Sequence, residues 1–165
     1  VMGYANTLLS YGVEKWASDA QAAGVDGLIC VDLPPQEAME ISDVLKQSNI
    51  HTIFLLAPTS TDERIELVAA HGTGMIYCVS VVGITGARRA LSAELPEFVK
   101  RVKEKTNIPL AVGFGISEAE HIASVGNIAE AAVVGSAFVG AISSAQDNDY
   151  ESAAETFISI LVNGG

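Results

Sequence analysis

Basic residues are scarce in this chain of 165 residues, which has 9 Lys and Arg against 20 Asp and Glu and a formal net charge of −11 at pH 7. The phosphates of nucleic acids and the headgroups of anionic lipids repel so acidic a chain. We therefore exclude nucleic acid and a membrane surface as its main partners. Any phosphate ligand must be held mainly by backbone N–H groups, because the chain offers no large cluster of lysines.

Cysteine is scarce as well. Cys30 and Cys78 both lie inside apolar, strand-like runs, so we expect buried reduced thiols and no disulfide. His51, His71 and His121 stand at scattered positions without the spacing of metal ligands, and we predict no metal site.

Long apolar runs are absent too. No stretch approaches the roughly 20 apolar residues that span a bilayer, and the N-terminus lacks a basic region followed by an apolar run. These observations predict a cytoplasmic protein.

Short apolar runs alternate with helical patterns along the whole chain. Continuous runs of this kind are typical of parallel strands that are covered on both faces. The predicted strands are residues 1–4, 27–31, 52–57, 75–79, 109–112 and 131–134. The stretches 13–20, 95–102 and 150–161 place apolar residues three and four apart, as helices with one buried face do. Six strands and six helices in one domain, residues 1–165, fit either an open doubly wound sheet or part of a barrel.

Three sequence signals mark predicted helix starts. Ser60 with Glu63 and Ser117 with Glu120 have the spacing of a capping box. The Pro34-Pro35 pair predicts the first turn of a helix after Asp32, because proline is tolerated where no intrahelical N–H bond is made.

Glycine turns follow three of the apolar runs, at residues 82–86, 113–117 and 133–136. Glycine has no Cβ, so backbone N–H groups can approach an anion closely, and a helix that starts after the glycine adds its positive end. The last two turns follow the last two predicted strands, where (β/α)8 barrels commonly bind phosphate. The pattern therefore indicates a phosphate site built from backbone.

These glycine turns belong to an ordered series of segments that resembles the tryptophan synthase alpha subunit family over essentially the whole chain. The matching segments are residues 2–6, 24–29, 31–35, 53–59, 77–80, 83–88, 113–117 and 134–137. The resemblance implies a (β/α)8 TIM barrel of which this chain holds about six βα units, from the third barrel strand onward. Because the chain opens with Val1 inside an apolar run, we expect an N-terminal part to be missing.

The activity that the resemblance implies is a lyase reaction of tryptophan biosynthesis. Retro-aldol cleavage would split indole-3-glycerol phosphate into indole and glyceraldehyde 3-phosphate. The indole would pass to a beta subunit that carries pyridoxal phosphate, in a heterotetramer of two alpha and two beta subunits. The resemblance implies no cofactor in this chain itself.

The resemblance also implies the site residues. Gly86, Gly115, Gly135 and Ser136 would hold the phosphate. Tyr4 and Phe114 would line the indole pocket, Tyr77 would lie beside the glycerol portion, and Thr85 would belong to a loop, residues 81–91, that closes over the substrate. For Phe114 and Tyr77, packing in the core is an alternative role.

The family's two catalytic carboxylates, a Glu and an Asp, would both fall before Val1, so the resemblance implies no catalytic residue here. Asp32 is the best remaining acid, but it is explained more simply as a cap of the next helix. Two alternatives stay open: a sugar-phosphate isomerase or epimerase on the same fold, and a non-catalytic module that binds a beta-type subunit. Asn6 and Pro34, on loops after strands, are candidates for that contact.

Overall fold

The computed structural model describes residues 1–80, 94–113, 115–145 and 149–163, in which helices and strands alternate. The strands are β1 (Met2–Gly3), β2 (Gly27–Cys30), β3 (His51–Ile53), β4 (Leu55–Leu56), β5 (Ile76–Val79), β6 (Leu110–Gly113) and β7 (Ala131–Val133). The helices are α1 (Ala5–Tyr11), α2 (Val13–Ala22), α3 (Met39–Gln47), α4 (Asp62–His71), α5 (Leu95–Lys103), α6 (Ala119–Gly126), α7 (Ser136–Ser143) and α8 (Tyr150–Asn163).

All described strands are parallel, and they lie side by side in the order of the chain. They form the sheets β1-β2-β3 and β4-β5-β6-β7. The sheets are continuous, since β3 and β4 are two halves of one predicted strand and the Phe54 carbonyl between them accepts a hydrogen bond from the Tyr77 N–H at 2.9 Å. A doubly wound sheet reverses its strand order at a switch point, whereas a barrel adds strands in sequence. The order therefore favours a barrel.

Helices cover one face of this array. Leu28, Cys78 and Val112 belong to buried apolar clusters that they share with helix residues. The alternate residues Tyr77 and Ala111, which are register partners, point to the other face, which we call the inner face. Sequential parallel strands with helices on one side form the wall of a (β/α)8 barrel. The described strands occupy six positions of such a wall, because β3 and β4 share one position. This confirms the predicted partial TIM barrel.

The inner face is covered in the middle of the array and open at its ends. Tyr77 is 5% exposed, whereas Met2 in β1 is 53% exposed and Ala131 in β7 is also exposed. Among the described strands, β1 and β7 each pair on one side only. The two end strands therefore leave backbone donors and acceptors unpaired along the described array.

The described residues contain eight helices, whereas the strand pattern predicts six. The predicted stretches 13–20 and 150–161 are α2 and α8, and the additional helices α1 and α7 lie before them. Helix α1 ends and α2 begins at Gly12, whose φ of +90° lies where a side chain would be strained.

The three predicted helix starts were wrong in position. Helix α4 is capped by Thr61, whose Oγ1 accepts the Arg64 N–H at 3.3 Å, while the Ser60 Oγ accepts the Ala57 N–H at 3.0 Å. A serine and a threonine hydroxyl can both cap a helix, and the conformation of the loop places Thr61, not Ser60, in the capping position.

The two other starts lie later in the chain than predicted. The N-cap of α6 is Glu118 rather than Ser117, and it makes no side-chain cap bond. The proline pair does not begin a helix. The N–H groups of Glu37 and Ala38 bond to the Pro34 and Pro35 carbonyls in a separate turn, and α3 starts only at Met39.

Cys30 and Cys78 are buried free thiols. Burial raises their thiol pKa to about 11 and about 12, so both stay protonated near neutral pH. Among the described residues, no helix is long and apolar enough to cross a membrane. The same residues contain no group of three or more His, Cys, Asp or Glu side chains that could hold a metal ion.

We predict that Ile65→Ala lowers the free energy of unfolding by about 2–5 kcal/mol, because it leaves a cavity in the larger core cluster. Ile65 in α4 is 0% exposed, and Ile158 in α8, the matched control, is 47% exposed. Ile158→Ala should change stability by no more than about 0.5 kcal/mol. Urea unfolding measures both variants. Equal losses would contradict the assignment of the core.

Candidate functional site

The C-terminal ends of β5, β6 and β7 lie side by side. Val79 is the register partner of Gly113, and Gly113 is the partner of Val133. The Ser80 N–H donates to the Gly113 carbonyl at 2.8 Å, which extends the pairing past the end of β5. The segments that follow these three strands therefore start from one edge of the barrel wall, where active sites of this fold are built.

Gly115 begins the turn after β6. Its φ of +78° lies in the left-handed region, which glycine adopts without strain, and the residue is exposed. Ile116 follows it and is buried in the larger core cluster. An exposed glycine with a left-handed backbone thus lies next to a residue that is fixed in the core.

Gly135 and Ser136 form the start of α7, two residues beyond the registered Val133. Gly135 is the N-cap, its carbonyl accepts the Val139 N–H at 3.1 Å, and no described side chain caps this end. The first N–H groups of a helix have no intrahelical acceptor and carry the positive end of its dipole. A Cβ added at Gly135 would meet no atom within 4 Å, so the space above it is open. This end of α7 suits an anion.

Tyr77 lies on the inner face with its ring over Gly113 of the next strand. A Cβ at Gly113 would collide with the Tyr77 hydroxyl. Glycine at 113 therefore makes room for the tyrosine ring, a role that the sequence pattern did not reveal. Burial raises the pKa of the Tyr77 hydroxyl, which keeps it protonated and able to donate a hydrogen bond at neutral pH.

Tyr4 is placed differently. It follows β1 as the N-cap of α1 and is 61% exposed. It lies at the same edge of the array as the segments after β6 and β7. In the strand order it is separated from Tyr77 by β2 and by the β3/β4 strand.

Asp32 binds the start of α1, which lies two helices before the one that it was predicted to cap. Its Oδ1 accepts the Ala5 N–H at 2.7 Å, and the Cys30 thiol lies 3.6 Å from the same oxygen. The prediction went wrong because sequence distance suggested the next helix, whereas parallel pairing of β1 with β2 brings the start of α1 beside Asp32. The bond ties together the loops that follow β1 and β2.

The remaining predicted site residues, Thr85, Gly86 and Phe114, and the loop 81–91 lie outside the described residues. In the described part, Gly115 follows β6, and Gly135 and Ser136 follow the neighbouring strand β7, while Tyr77 lies on the inner face of β5, the strand next to β6.

Comparisons with known proteins agree with one another. A family model described as tryptophan synthase alpha chain matches residues 1–161. The chain is 46% identical over 160 residues to the tryptophan synthase alpha chain of Roseiflexus castenholzii, which covers 97% of this chain and 61% of that protein. It is 49% identical over 139 residues to that of Acinetobacter baumannii, covering 84% of this chain and 52% of the relative.

The solved structures that resemble this chain also belong to tryptophan synthase. A chain of the tryptophan synthase a2b2 complex from Pyrococcus furiosus superimposes with a TM-score of 0.89 at 34% identity, covering 98% of this chain and 65% of that one. A mutant tryptophan synthase alpha subunit from the same organism gives 0.87 at 32% identity, with the same coverage. The chain thus spans less than two thirds of the length of these relatives.

We predict that Gly113→Ala lowers the free energy of unfolding by about 1–3 kcal/mol, because the new methyl group displaces the buried Tyr77 ring. Gly126→Ala is the control, since a Cβ there meets nothing within 4 Å. It should be neutral or stabilising by up to about 1 kcal/mol. Thermal and urea unfolding provide the measurement. Adding Tyr77→Ala to Gly113→Ala should relieve the collision, and a strictly additive double variant would refute it.

Proposed function

Because the chain belongs to the tryptophan synthase alpha chain family, we propose that it forms the phosphate-binding part of a lyase that cleaves indole-3-glycerol phosphate into indole and glyceraldehyde 3-phosphate. The observation that supports the proposal is the register of Gly113 with Val133, because the turn at Gly115 and the start of α7 follow these two neighbouring strands. We propose that the backbone N–H groups of both segments bind one anion.

We assign the phosphate to Gly115, Gly135 and Ser136, together with Gly86 of the loop 81–91. The chain's net charge of −11 makes backbone the suitable binder, because a helix end attracts the phosphate locally while the rest of the surface repels it. Ser136 can add its hydroxyl to its N–H group. We assign Thr85 and its loop to closure over the bound substrate, which would exclude water from the cleavage.

We assign the indole and glycerol portions to the inner face. Ala111 and Leu55, the register partners of Tyr77, give this part of the wall an apolar surface that suits an aromatic ring. We assign Tyr77 to a position beside the glycerol portion. Phe114 and Tyr4, at the strand ends, would enclose the indole ring.

Cleavage needs a proton delivered to the indole carbon that leaves the glycerol chain and a proton removed from the neighbouring hydroxyl, which carboxylates can do. The best acid of this chain is already engaged, since Asp32 accepts the Ala5 N–H at 2.7 Å. As the family resemblance implies, we propose that the two catalytic carboxylates lie in the part of the relatives that this chain does not span. The chain alone would bind the phosphate end without turnover.

We further propose that the chain is cytoplasmic and binds a beta subunit. The beta subunit would carry the pyridoxal phosphate, and this chain would carry no cofactor. Asn6 in α1 and Pro34 after β2 are the candidate contacts. Asn6 was predicted on a loop but lies in the first turn of α1. The Asp32 bond to Ala5 supports their grouping, because it joins the start of α1 to the loop that contains Pro34. Of the two open alternatives, the family assignment disfavours a sugar-phosphate isomerase.

We predict that inorganic phosphate shifts the amide signals of Gly115, Gly135 and Ser136 in a nitrogen-proton NMR titration and leaves exposed Gly24 unchanged. Gly135→Ala should weaken phosphate binding roughly tenfold, since its methyl group fills the space above the helix end. Gly140→Ala, on the same helix and equally free of neighbours within 4 Å, should bind like the unaltered chain. Equal affinities for the two variants would contradict the site.

We predict that this chain alone releases no indole from indole-3-glycerol phosphate above the uncatalysed rate, because the carboxylates of the reaction lie elsewhere. Indole formation followed by absorbance is the measurement, with a full-length relative as the positive control. Release of indole by the chain alone, abolished by Asp32→Asn, would instead make Asp32 a catalytic residue.

A further inference from the structure

His121 lies beneath the turn that follows β6. It occupies the third position of α6 and is 6% exposed. Its Nδ1 accepts the N–H of Ser117 at 3.3 Å. The side chain thus reaches back over the start of its own helix to the turn that contains Gly115.

The hydrogen bond fixes the turn at a second point. Ile116 is buried in the larger core cluster and anchors the turn from below. Ser117, the next residue, is held by His121. With the Gly113 carbonyl bound to the Ser80 N–H, the backbone on both sides of Gly115 has a defined position.

The chemistry at position 121 requires an acceptor. A neutral imidazole accepts at Nδ1 when its proton lies on Nε2. An apolar side chain of similar size would leave the Ser117 N–H without this partner, and a partly buried donor without an acceptor favours another turn conformation.

We propose that His121 is a positioning residue of the phosphate site: it does not touch the anion, but it holds the turn 115–117 so that the Gly115 N–H points to the same place as the start of α7. This inference rests on the proposed function. A preformed turn binds more tightly because the cost of ordering it is already met by the fold.

The test compares His121→Leu with His121→Asn. Leucine removes the acceptor, whereas the asparagine amide oxygen lies near the place of Nδ1 and retains it. Phosphate titration by NMR should show affinity reduced roughly tenfold in His121→Leu and close to that of the unaltered chain in His121→Asn. The Ser117 amide should exchange with solvent faster in His121→Leu only.

A stability control separates positioning from folding. Ile122→Ala removes a half-buried side chain of the same helix that packs on the core. It should lower the urea midpoint without lowering phosphate affinity. If the affinity of all variants follows their urea midpoints, His121 is merely structural and the inference is overturned.

A direct observation remains available even if His121→Leu does not fold. The unaltered chain should show a nitrogen-nitrogen scalar coupling across the bond between the Ser117 amide and His121 Nδ1, and a missing coupling overturns the inference. Phosphate binding by His121→Leu at full affinity also overturns it but leaves the phosphate site standing. Failure of the unaltered chain to bind phosphate overturns the proposed site as well.

Discussion

Parallel pairing in register determines which residues of this chain meet at the edge of the barrel wall. It sends every strand's carboxyl end to one edge of the barrel wall, and residues far apart in the sequence start their loops there together. Gly113 pairs with Val133, so the turn at Gly115 and the start of α7 follow neighbouring strands. The parallel pairing of β1 with β2 likewise brings Asp32 to the first N–H of α1. Neither arrangement follows from distance along the chain.

The order of elements was predictable from the sequence, because parallel strands that are buried on both faces consist of continuous runs of apolar residues. Five of the six predicted strands appear nearly as expected, and the sixth is divided at Phe54. Helix boundaries were less predictable. Several hydroxyl and acidic residues near α4 and α6 suit a cap equally well, and the loop conformation, which depends on tertiary packing, selects Thr61 and Glu118.

The candidate site was predictable where glycine marks it and not where packing decides. Gly115 adopts the left-handed conformation that only glycine takes easily, and this requirement is visible in the sequence. The role of Gly113 is not visible, because it depends on the ring of Tyr77 crossing from the next strand. His121 was likewise overlooked: a lone histidine shows no pattern until the helix places its ring against the Ser117 N–H.

In the function that we propose, backbone amides at the ends of β6 and β7 bind a phosphate group. A crystal structure of the chain with glycerol phosphate is the decisive experiment. We expect phosphate oxygens at hydrogen-bond distance, about 2.7–3.2 Å, from the backbone nitrogens of Gly115 and Ser136. A phosphate bound to surface lysines instead, with the start of α7 turned away from Gly115, would contradict it.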